Sequence, residues 1–256
     1  MDLGLQGKVA LITGASRGVG KAIAFQLANE DCRLALVARG RKTLEETAAE
    51  LWSKGIEVLP IVADLMVAQD IEIVVQETIQ QFGRIDILVH NAGGAKGQNI
   101  FDTSDEDWQD ALALNVLALS RLAKLVAPIM SQQGGGRIIA ISSIFGRETG
   151  GRTAYNALKA ASISLTKSLA RQFAPDNILV NSIAPGSLLF PGSSWDRRKQ
   201  ADPDRIAAFV KSELPLGRFG TPEEIAVVVA FLASPHASLI SGACIPVDGA
   251  QSHSNI

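Results

Sequence analysis

The chain has 256 residues, of which 47% are hydrophobic and 20% are charged. This composition suits one large globular domain and excludes a disordered protein, because a chain of this length can bury a sizeable core. Lys and Arg number 24 against 26 Asp and Glu, so the net charge of -2 argues against a general binder of nucleic acid or of acidic membranes.

Cysteines and histidines are too few and too scattered for a disulfide framework or a metal centre. Cys32 and Cys244 lie far apart in apolar runs, which indicates two buried thiols in a reducing compartment. His90, His236 and His253 are dispersed, so neither a structural zinc site nor a histidine triad is expected. The N-terminal segment does not resemble a signal peptide, and no uncharged apolar stretch reaches the ~20 residues of a membrane span. We therefore expect a cytoplasmic protein.

Short apolar runs alternate with helical patterns along the chain. Such alternation is typical of right-handed βαβ units with a parallel sheet buried on both faces. The pattern predicts strands at about 9–12, 32–38, 56–61, 86–90, 137–142, 178–183 and 243–247, and helices at about 19–29, 42–53, 68–82, 105–131, 153–173 and 222–233. The predicted fold class is therefore α/β. One domain, residues 1–256, would form a doubly wound Rossmann-type fold with a seven-stranded parallel sheet and helices on both faces.

One segment, at about 186–220, interrupts this alternation. It contains Pro-Gly pairs, a charged tetrad at 196–199 and a predicted short helix after Pro203. A connection of this length in a compact domain is often a lid over a binding site. A solvated insertion is the alternative, which the charged tetrad favours. The apolar residues of the segment favour a substrate cover, and the expected contacts are Leu189, Phe190 and Trp195.

A glycine-rich turn joins the first predicted strand to the first helix. Its glycines allow a tight turn and the close approach of a pyrophosphate, which the N–H groups at the start of the helix would bind. A glycine triplet alone is weak evidence, but its position between the strand and the helix of a βαβ unit is the one that nucleotide binding requires. The predicted phosphate-binding residues are Gly14, Ser16, Arg17, Gly18, Val19 and Gly20.

The octapeptide TGASRGVG at 13–20 resembles the TGxxxGxG motif of the short-chain dehydrogenase/reductase family. The stretch 63–65 follows the third strand, where the family has an Asp that holds the adenine edge. The stretch 91–93 is similar to the family's NNAG motif, although His90 replaces its first Asn. The resemblance therefore implies cofactor contacts from Asp64, Leu65, Asn91, Ala92 and Gly93.

The end of the second strand distinguishes the two nicotinamide cofactors. An acidic residue there accepts a hydrogen bond from the ribose of NAD, whereas an arginine pairs with the 2′-phosphate of NADP. Arg39 and Arg41 stand at this place, no acid occurs before Glu45, and Arg17 lies in the glycine turn. Because a guanidinium can bind phosphate through two N–H groups, NADP(H) is predicted over NAD(H), with Arg17 and Arg39 at the phosphate. Solvated arginines are the alternative.

Tyr155 and Lys159 lie four residues apart in a helical pattern, which places both side chains on one face. A ketone that accepts a hydride also needs a proton, and a phenol with a pKa near ~10 becomes a competent donor or base beside a cation. Tyr155 is the only tyrosine of the chain. The pair follows Ser142 and Ser143 at the carboxyl end of a strand, where ligands bind in such sheets.

The family has the same groups, and the resemblance implies their roles. Tyr155 would be the catalytic acid and base, Lys159 would lower its pKa and reach the nicotinamide ribose, and a serine would polarise the substrate carbonyl. Ser143 fits the family's Ser-x-x-Gly pattern, whereas Ser142 has the more usual spacing from the tyrosine and stays as the alternative. Asn115 matches the asparagine that holds a relay water, and a helix-interior amide satisfied by the backbone is its alternative role.

The stretch after the sixth strand is similar to the family's N-x-I-x-P-G motif, which implies that it lies beside the nicotinamide. The threonine that often follows is missing, so its contact with the carboxamide is in doubt. The cofactor contacts expected here are Pro185, Gly186 and Leu188. The expected substrate contacts are Gly94, Ser143, Phe145, Tyr155, Leu189, Phe190 and Trp195.

These features predict an oxidoreductase that reduces a ketone to a secondary alcohol with NADPH, and the resemblance implies a homotetramer. One alternative is an NAD-dependent alcohol or sugar dehydrogenase. A second is a 3-oxoacyl-[acyl-carrier-protein] reductase, whose acidic partner needs basic residues before the fifth and sixth strands, where only Arg137 is basic. A non-catalytic NADPH sensor is the third, and the presence of both Tyr155 and Lys159 argues against it.

Overall fold

In the computed structural model, which describes residues 2–255, seven strands form one parallel sheet in the order β3-β2-β1-β4-β5-β6-β7. The strands are β1 (Val9–Thr13), β2 (Arg33–Ala38), β3 (Val58–Val62), β4 (Ile87–His90), β5 (Gly136–Ile141), β6 (Ile178–Pro185) and β7 (Cys244–Val247). The helices are α1 (Gly18–Ala28), α2 (Arg41–Trp52), α3 (Ala68–Phe82), α4 (Asp105–Leu112), α5 (Ala118–Gln132), α6 (Thr153–Phe173), α7 (Ser194–Ala201), α8 (Pro203–Glu213) and α9 (Pro222–Ala233). The predicted doubly wound α/β fold is confirmed.

Two apolar layers enclose the sheet, because successive strand side chains point to opposite faces. Ala10 and Ile12 of β1 belong to the layer that contains the buried sides of α1, α2 and α9. Val9 and Leu11 belong to the layer against α3, α5 and the end of α6. The strand order reverses between β1 and β4, so the connections that follow these two strands run to opposite faces of the sheet and leave the crevice in which open α/β sheets bind ligands.

The single helix predicted at 105–131 is interrupted. It consists of α4, a π turn at Ala113–Leu117, and α5. The stretch Asp105–Gln132 is also the one helical segment of residues 2–255 that is long and apolar enough to cross a bilayer by composition alone. Its buried residues, among them Leu119, Leu122 and Val126, pack on the sheet, as a core helix does.

The segment after β6 has two helices, α7 and α8, whereas the sequence pattern predicted only one. Ser193 Oγ accepts a hydrogen bond from the Asp196 N–H at 3.0 Å and starts α7, and Asp202 accepts from the Arg205 N–H at 3.0 Å and starts α8. No residue of α7 is buried, so this helix has no apolar periodicity from which it could be predicted.

Candidate active site

A cavity of about 730 Å³ extends along the carboxyl edge of the sheet. Most of the predicted site residues line it: Gly14, Ser16, Arg17, Val19, Arg39, Asp64, Leu65, Asn91, Ala92, Gly93, Ser143, Tyr155, Lys159, Pro185, Gly186, Leu188, Phe190 and Trp195. Six others lie outside its lining, namely Gly18, Gly20, Gly94, Asn115, Phe145 and Leu189. Residues that sequence reasoning did not single out also line it, among them Val37, Ala38, Gly40, Thr43, Leu114, Ile141 and Ser194.

The glycine turn is tied to the end of β4 by hydrogen bonds. Asn91 donates through Nδ2 to the carbonyls of Thr13 and Gly14, each at 3.1 Å, and Thr13 Oγ1 accepts from the N–H groups of Asn91 and Ala92 at 3.0 and 3.1 Å. A Cβ on Gly20 would lie 2.2 Å from the Gly14 oxygen, so this turn requires glycine there. No side chain caps the start of α1, which leaves its first N–H groups for an anion.

The end of the cavity beside β2 is lined by positively charged side chains. Arg39 Nη1 lies 3.8 Å from an Asp64 carboxylate oxygen, but 65% of the Arg39 side chain is exposed, so the pair is weak. Arg17 and Thr43 line the same cavity, and Thr43 Oγ1 donates to the Gly40 carbonyl at 3.2 Å. The only signal for Thr43 in the sequence is its position in the first turn of the helix after β2.

Ser143, Tyr155 and Lys159 converge at the other end of the cavity. Ser143 follows β5, and Tyr155 and Lys159 lie on successive turns of α6. Burial raises the pKa of the Tyr155 phenol, and the nearby Ser143 hydroxyl lowers it by less. Lys159 Nζ lies 5.5 Å from the centroid of the Tyr155 ring and donates to the Ile141 carbonyl at 2.8 Å.

Lys159 is 5% exposed, and burial lowers the pKa of its ammonium group to about 8. The group is therefore mostly charged at neutral pH. The expectation that Lys159 lowers the pKa of Tyr155 stays a prediction.

The two neighbouring serines face different partners. Ser142 Oγ donates to the Lys159 carbonyl at 3.1 Å and lies 3.4 Å from Ser162 Oγ, so it is occupied by α6. Ser143 Oγ accepts from the Phe145 N–H at 3.2 Å and lies close enough to Tyr155 to lower the pKa of its phenol. Both serines line the cavity, so the choice of Ser143 as the catalytic serine stays a prediction, which these contacts favour.

Asn115 lies behind the cavity wall, in the π turn. Its Nδ2 donates to the carbonyls of Ala111 and Gly94, each at 2.7 Å, and its Oδ1 accepts from the Gly94 N–H at 3.2 Å. A Cβ on Gly93 would lie 2.8 Å from Asn115 Oδ1 and 2.9 Å from Lys159 Nζ. The amide thus connects the π turn to the loop after β4, and only a glycine at 93 fits between Asn115 and Lys159.

The segment after β6 contributes aromatic side chains to the cavity wall. Trp195 stacks on Phe209 with ring centroids 4.3 Å apart, and Phe219 lies 5.2 Å from the same indole. The ring of Phe190 packs so closely on the glycine turn that a Cβ on Gly18 would lie 2.6 Å from it. Phe190 and Trp195 line the cavity and Leu189 does not. Outside the cavity lining, the ring of Phe145 packs on the backbone at 150–151.

Comparisons with known proteins agree with this geometry. A family model described as enoyl-(acyl carrier protein) reductase matches residues 14–250. The 3-oxoacyl-[acyl-carrier-protein] reductase FabG of Thermotoga maritima is 35% identical over 246 residues, which are 96% of this chain and 98% of that protein. The short-chain reductase protein NovJ of Streptomyces niveus is 35% identical over 245 residues, which are 95% of this chain and 94% of that protein.

Solved structures give the same result. L-sorbose reductase from Gluconobacter frateurii, complexed with NADPH and L-sorbose, superposes with a TM-score of 0.94 at 37% identity and covers 99% of this chain and 100% of that one. Levodione reductase has a TM-score of 0.90 at 32% identity, over 96% of this chain and 98% of that one. Matches of this identity over nearly the whole length show that the chain belongs to the short-chain dehydrogenase/reductase family of NAD(P)-linked oxidoreductases.

Proposed function

We propose that this enzyme reduces a ketone to a secondary alcohol with NADPH as the cofactor. The observation that supports this most is the cluster of Ser143, Tyr155 and Lys159 at one end of a cavity whose other end contains Arg17 and Arg39. NADPH, when bound, supplies the hydride. The protein groups hold the ketone and provide the proton.

The proton comes from Tyr155. Because burial raises the pKa of its phenol, this hydroxyl is protonated at neutral pH and can act as the acid in the reductive direction. Ser143 Oγ donates to the substrate oxygen as negative charge develops on it. The Lys159 ammonium favours the phenolate that is left after proton transfer. Oxidation of the alcohol would use the same groups in reverse.

The preference for NADPH is supported by charge. Arg17 and Arg39 line the cavity at the end of β2, where an NAD-specific site would have a carboxylate. The Arg39 guanidinium is only weakly paired with Asp64, so it can turn to a phosphate. L-sorbose reductase, a structural neighbour, is complexed with NADPH.

A cofactor titration tests this preference without a substrate. Fluorescence quenching of Trp195 would report binding, and we expect NADPH to bind ~10-fold or more tightly than NADH, which is about 1.4 kcal/mol. Substitution of both arginines, Arg17→Ala with Arg39→Ala, should remove most of this difference. Equal affinities in the unmodified protein would identify an NAD-dependent dehydrogenase instead.

The assignment of the acid is tested by Tyr155→Phe, which removes one hydroxyl and keeps the ring. We expect turnover to fall by ~10³-fold or more while the Kd for NADPH changes less than ~3-fold. A screen of free ketones and sugars provides the substrate. Retained turnover in the variant would exclude Tyr155 as the acid, and binding of NADPH without turnover of any ketone would favour the sensor alternative.

An acyl group on carrier protein is the second candidate substrate, because the FabG relatives are named for it. Arg137, the basic residue expected to help such docking, is the second residue of β5 and lines a cavity at the amino-terminal edge of the sheet. Within one chain, it lies at the edge opposite the cofactor cavity. We therefore favour a small free ketone. Micromolar binding of acylated carrier protein in surface plasmon resonance would reverse this preference.

We also propose that the enzyme is a homotetramer and that residues 186–220 close over the substrate. Apolar side chains on several elements are open to solvent in the single chain, namely Leu239 at 98%, Val227 at 55%, Leu112 at 39% and Leu117 at 37% exposed. Burial of such side chains between subunits would stabilise an oligomer. Light scattering after size exclusion should give four times the 27.0 kDa of the chain. A cytoplasmic location stays a prediction.

A further inference from the structure

His90 is a buried titratable residue that the proposed mechanism does not use. It ends β4, is 3% exposed, and stands at the place where the family's motif has an asparagine. The inference drawn from it rests on the proposed function, because it concerns how the groups of that site are held in place.

The hydrogen bonds of Thr13 identify the tautomer of His90. Thr13 is fully buried, and its Oγ1 already accepts two backbone N–H groups, from Asn91 and Ala92. A hydroxyl has two lone pairs and one hydrogen, so the hydrogen of Thr13 must be donated. Its partner is His90 Nδ1, at 3.4 Å. His90 Nδ1 is therefore an acceptor, and the hydrogen of the neutral ring is on Nε2.

The second ring nitrogen of His90, Nε2, therefore needs an acceptor. It is fully buried and has no hydrogen-bond partner among the described residues. The backbone of Leu114 nevertheless raises the pKa of the ring, as a carbonyl acceptor does. Leu114 lies in the π turn beside Asn115 and lines the cofactor cavity. A buried N–H without an acceptor is costly, so the Leu114 carbonyl is the partner that the fold provides.

We propose that His90, as the Nε2–H tautomer, is a positioning residue that connects Thr13 in the glycine turn to the Leu114 carbonyl in the π turn. Thr13 bonds to the loop after β4, and Asn115 bonds to the same loop from the other side through Gly94. His90 would thereby fix the distance between the cofactor-binding turn and the turn that contains Asn115.

The ring stays neutral in this role. Burial and the nearby positive charge of Lys159 lower the pKa of His90 to about 3, although the Leu114 backbone opposes this shift. The imidazole therefore keeps one donor and one acceptor at neutral pH. A charged ring would lose the acceptor for Thr13 and would repel Lys159.

Two substitutions separate this role from simple filling of space. Asparagine also offers an acceptor oxygen and a donor NH₂ group, whereas phenylalanine fills the volume of the imidazole ring and offers neither. We expect His90→Asn to keep kcat within ~3-fold, and His90→Phe to lower kcat by ~10-fold or more with a smaller change in the KM for NADPH. Equal effects of the two variants, or a normal kcat in His90→Phe, would overturn the proposal.

The tautomer itself is measurable in the unmodified protein without any turnover. Two-bond ¹H–¹⁵N correlations of ¹⁵N-histidine distinguish the two neutral tautomers, and His236→Gln and His253→Gln variants assign the remaining signal to His90. We expect the Nε2–H pattern, unchanged from pH 5 to 9. An Nδ1–H pattern would overturn the proposal, whatever substrate the enzyme uses. A loss of activity in Tyr155→Phe leaves this measurement unaffected, so the two proposals fail separately.

Discussion

The catalytic end of the cavity and the segment that covers it are built in different ways. Ser143 lies at a strand end and Tyr155 and Lys159 lie on the long helix α6, and hydrogen bonds connect Ser143 and Lys159 to the backbone. The cover at 186–220 consists of two short helices, and its contact with the cavity depends on Trp195 stacked on Phe209. The groups proposed for chemistry are thus held by the sheet, whereas the proposed substrate cover is held mainly by aromatic side-chain packing.

This difference suggests how the two regions respond to substitution. A change in the catalytic end alters groups whose positions are fixed by several bonds, so its effect should appear in kcat. A change in the cover alters apolar contacts that adapt more easily, so its effect should appear in the KM for the ketone. Four predictions test this contrast, from the largest expected effect to the smallest.

The two serines should differ sharply. Ser143→Ala removes the hydroxyl proposed to donate to the substrate oxygen, which also lowers the pKa of Tyr155, and we expect kcat to fall by ~10²- to 10³-fold. Ser142→Ala is the matched control, because Ser142 Oγ bonds to the Lys159 carbonyl, and its kcat should fall less than ~10-fold. Steady-state kinetics with one ketone measure both. A larger loss in Ser142→Ala would assign the catalytic role to the other serine.

Gly93→Ala should disturb the catalytic end although it adds only one methyl group. The new Cβ would lie 2.8 Å from Asn115 Oδ1 and 2.9 Å from Lys159 Nζ, so one of these groups must move. We expect kcat to fall by ~10²-fold. Gly40→Ala serves as the control, since its Cβ would meet only Thr43 Oγ1, at 3.1 Å. Full activity of Gly93→Ala would show that Asn115 and Lys159 can move away from the added methyl group without loss of catalysis.

Burial of Lys159 should make stability depend on pH. Its pKa is about 8 in the folded chain and 10.5 as a free side chain, so the unfolded chain binds more protons between these values. Stability therefore rises with pH in this window. From pH 7.5 to 9.5, the free energy of unfolding of the ligand-free protein should rise by about 2 kcal/mol relative to Lys159→Met. Urea titrations measure it, and a constant difference would show that the ammonium is better solvated than its burial indicates.

Trp195→Ala should give the smallest effect and the opposite kinetic pattern. The indole lines the cavity and stacks on Phe209, so its loss removes an apolar wall without touching the catalytic groups. We expect the KM for the ketone to rise ~5-fold with kcat changed less than ~2-fold. Trp52→Ala provides the control, because Trp52 is half-exposed at the end of α2 and does not line the cavity. This variant should change neither constant. A fall in kcat for Trp195→Ala would mean that the cover also positions the reacting groups.

Sequence reasoning predicted the order of strands and helices and most of the cavity lining. It succeeded where a local pattern has one physical solution, such as the glycine turn before α1. It missed α7, which has no buried residue, and the π turn, which arises where the Asn115 amide bonds to backbone on two sides. It also did not single out Thr43, whose position in the cavity depends on the approach of α2 to β2.

By itself, the sequence determined the α/β fold, the nucleotide crevice and the Tyr155–Lys159 pair, because alternating apolar runs, glycine spacing and an i,i+4 pair are set by nearby residues. Only the tertiary structure decided that the Ser142 hydroxyl bonds to the Lys159 carbonyl, and that His90 Nδ1 lies beside Thr13 Oγ1. Those relations join residues far apart in the chain. They depend on the rotamer that a buried polar side chain adopts to form its hydrogen bonds. The local sequence does not specify that rotamer, because the partners come from distant parts of the chain.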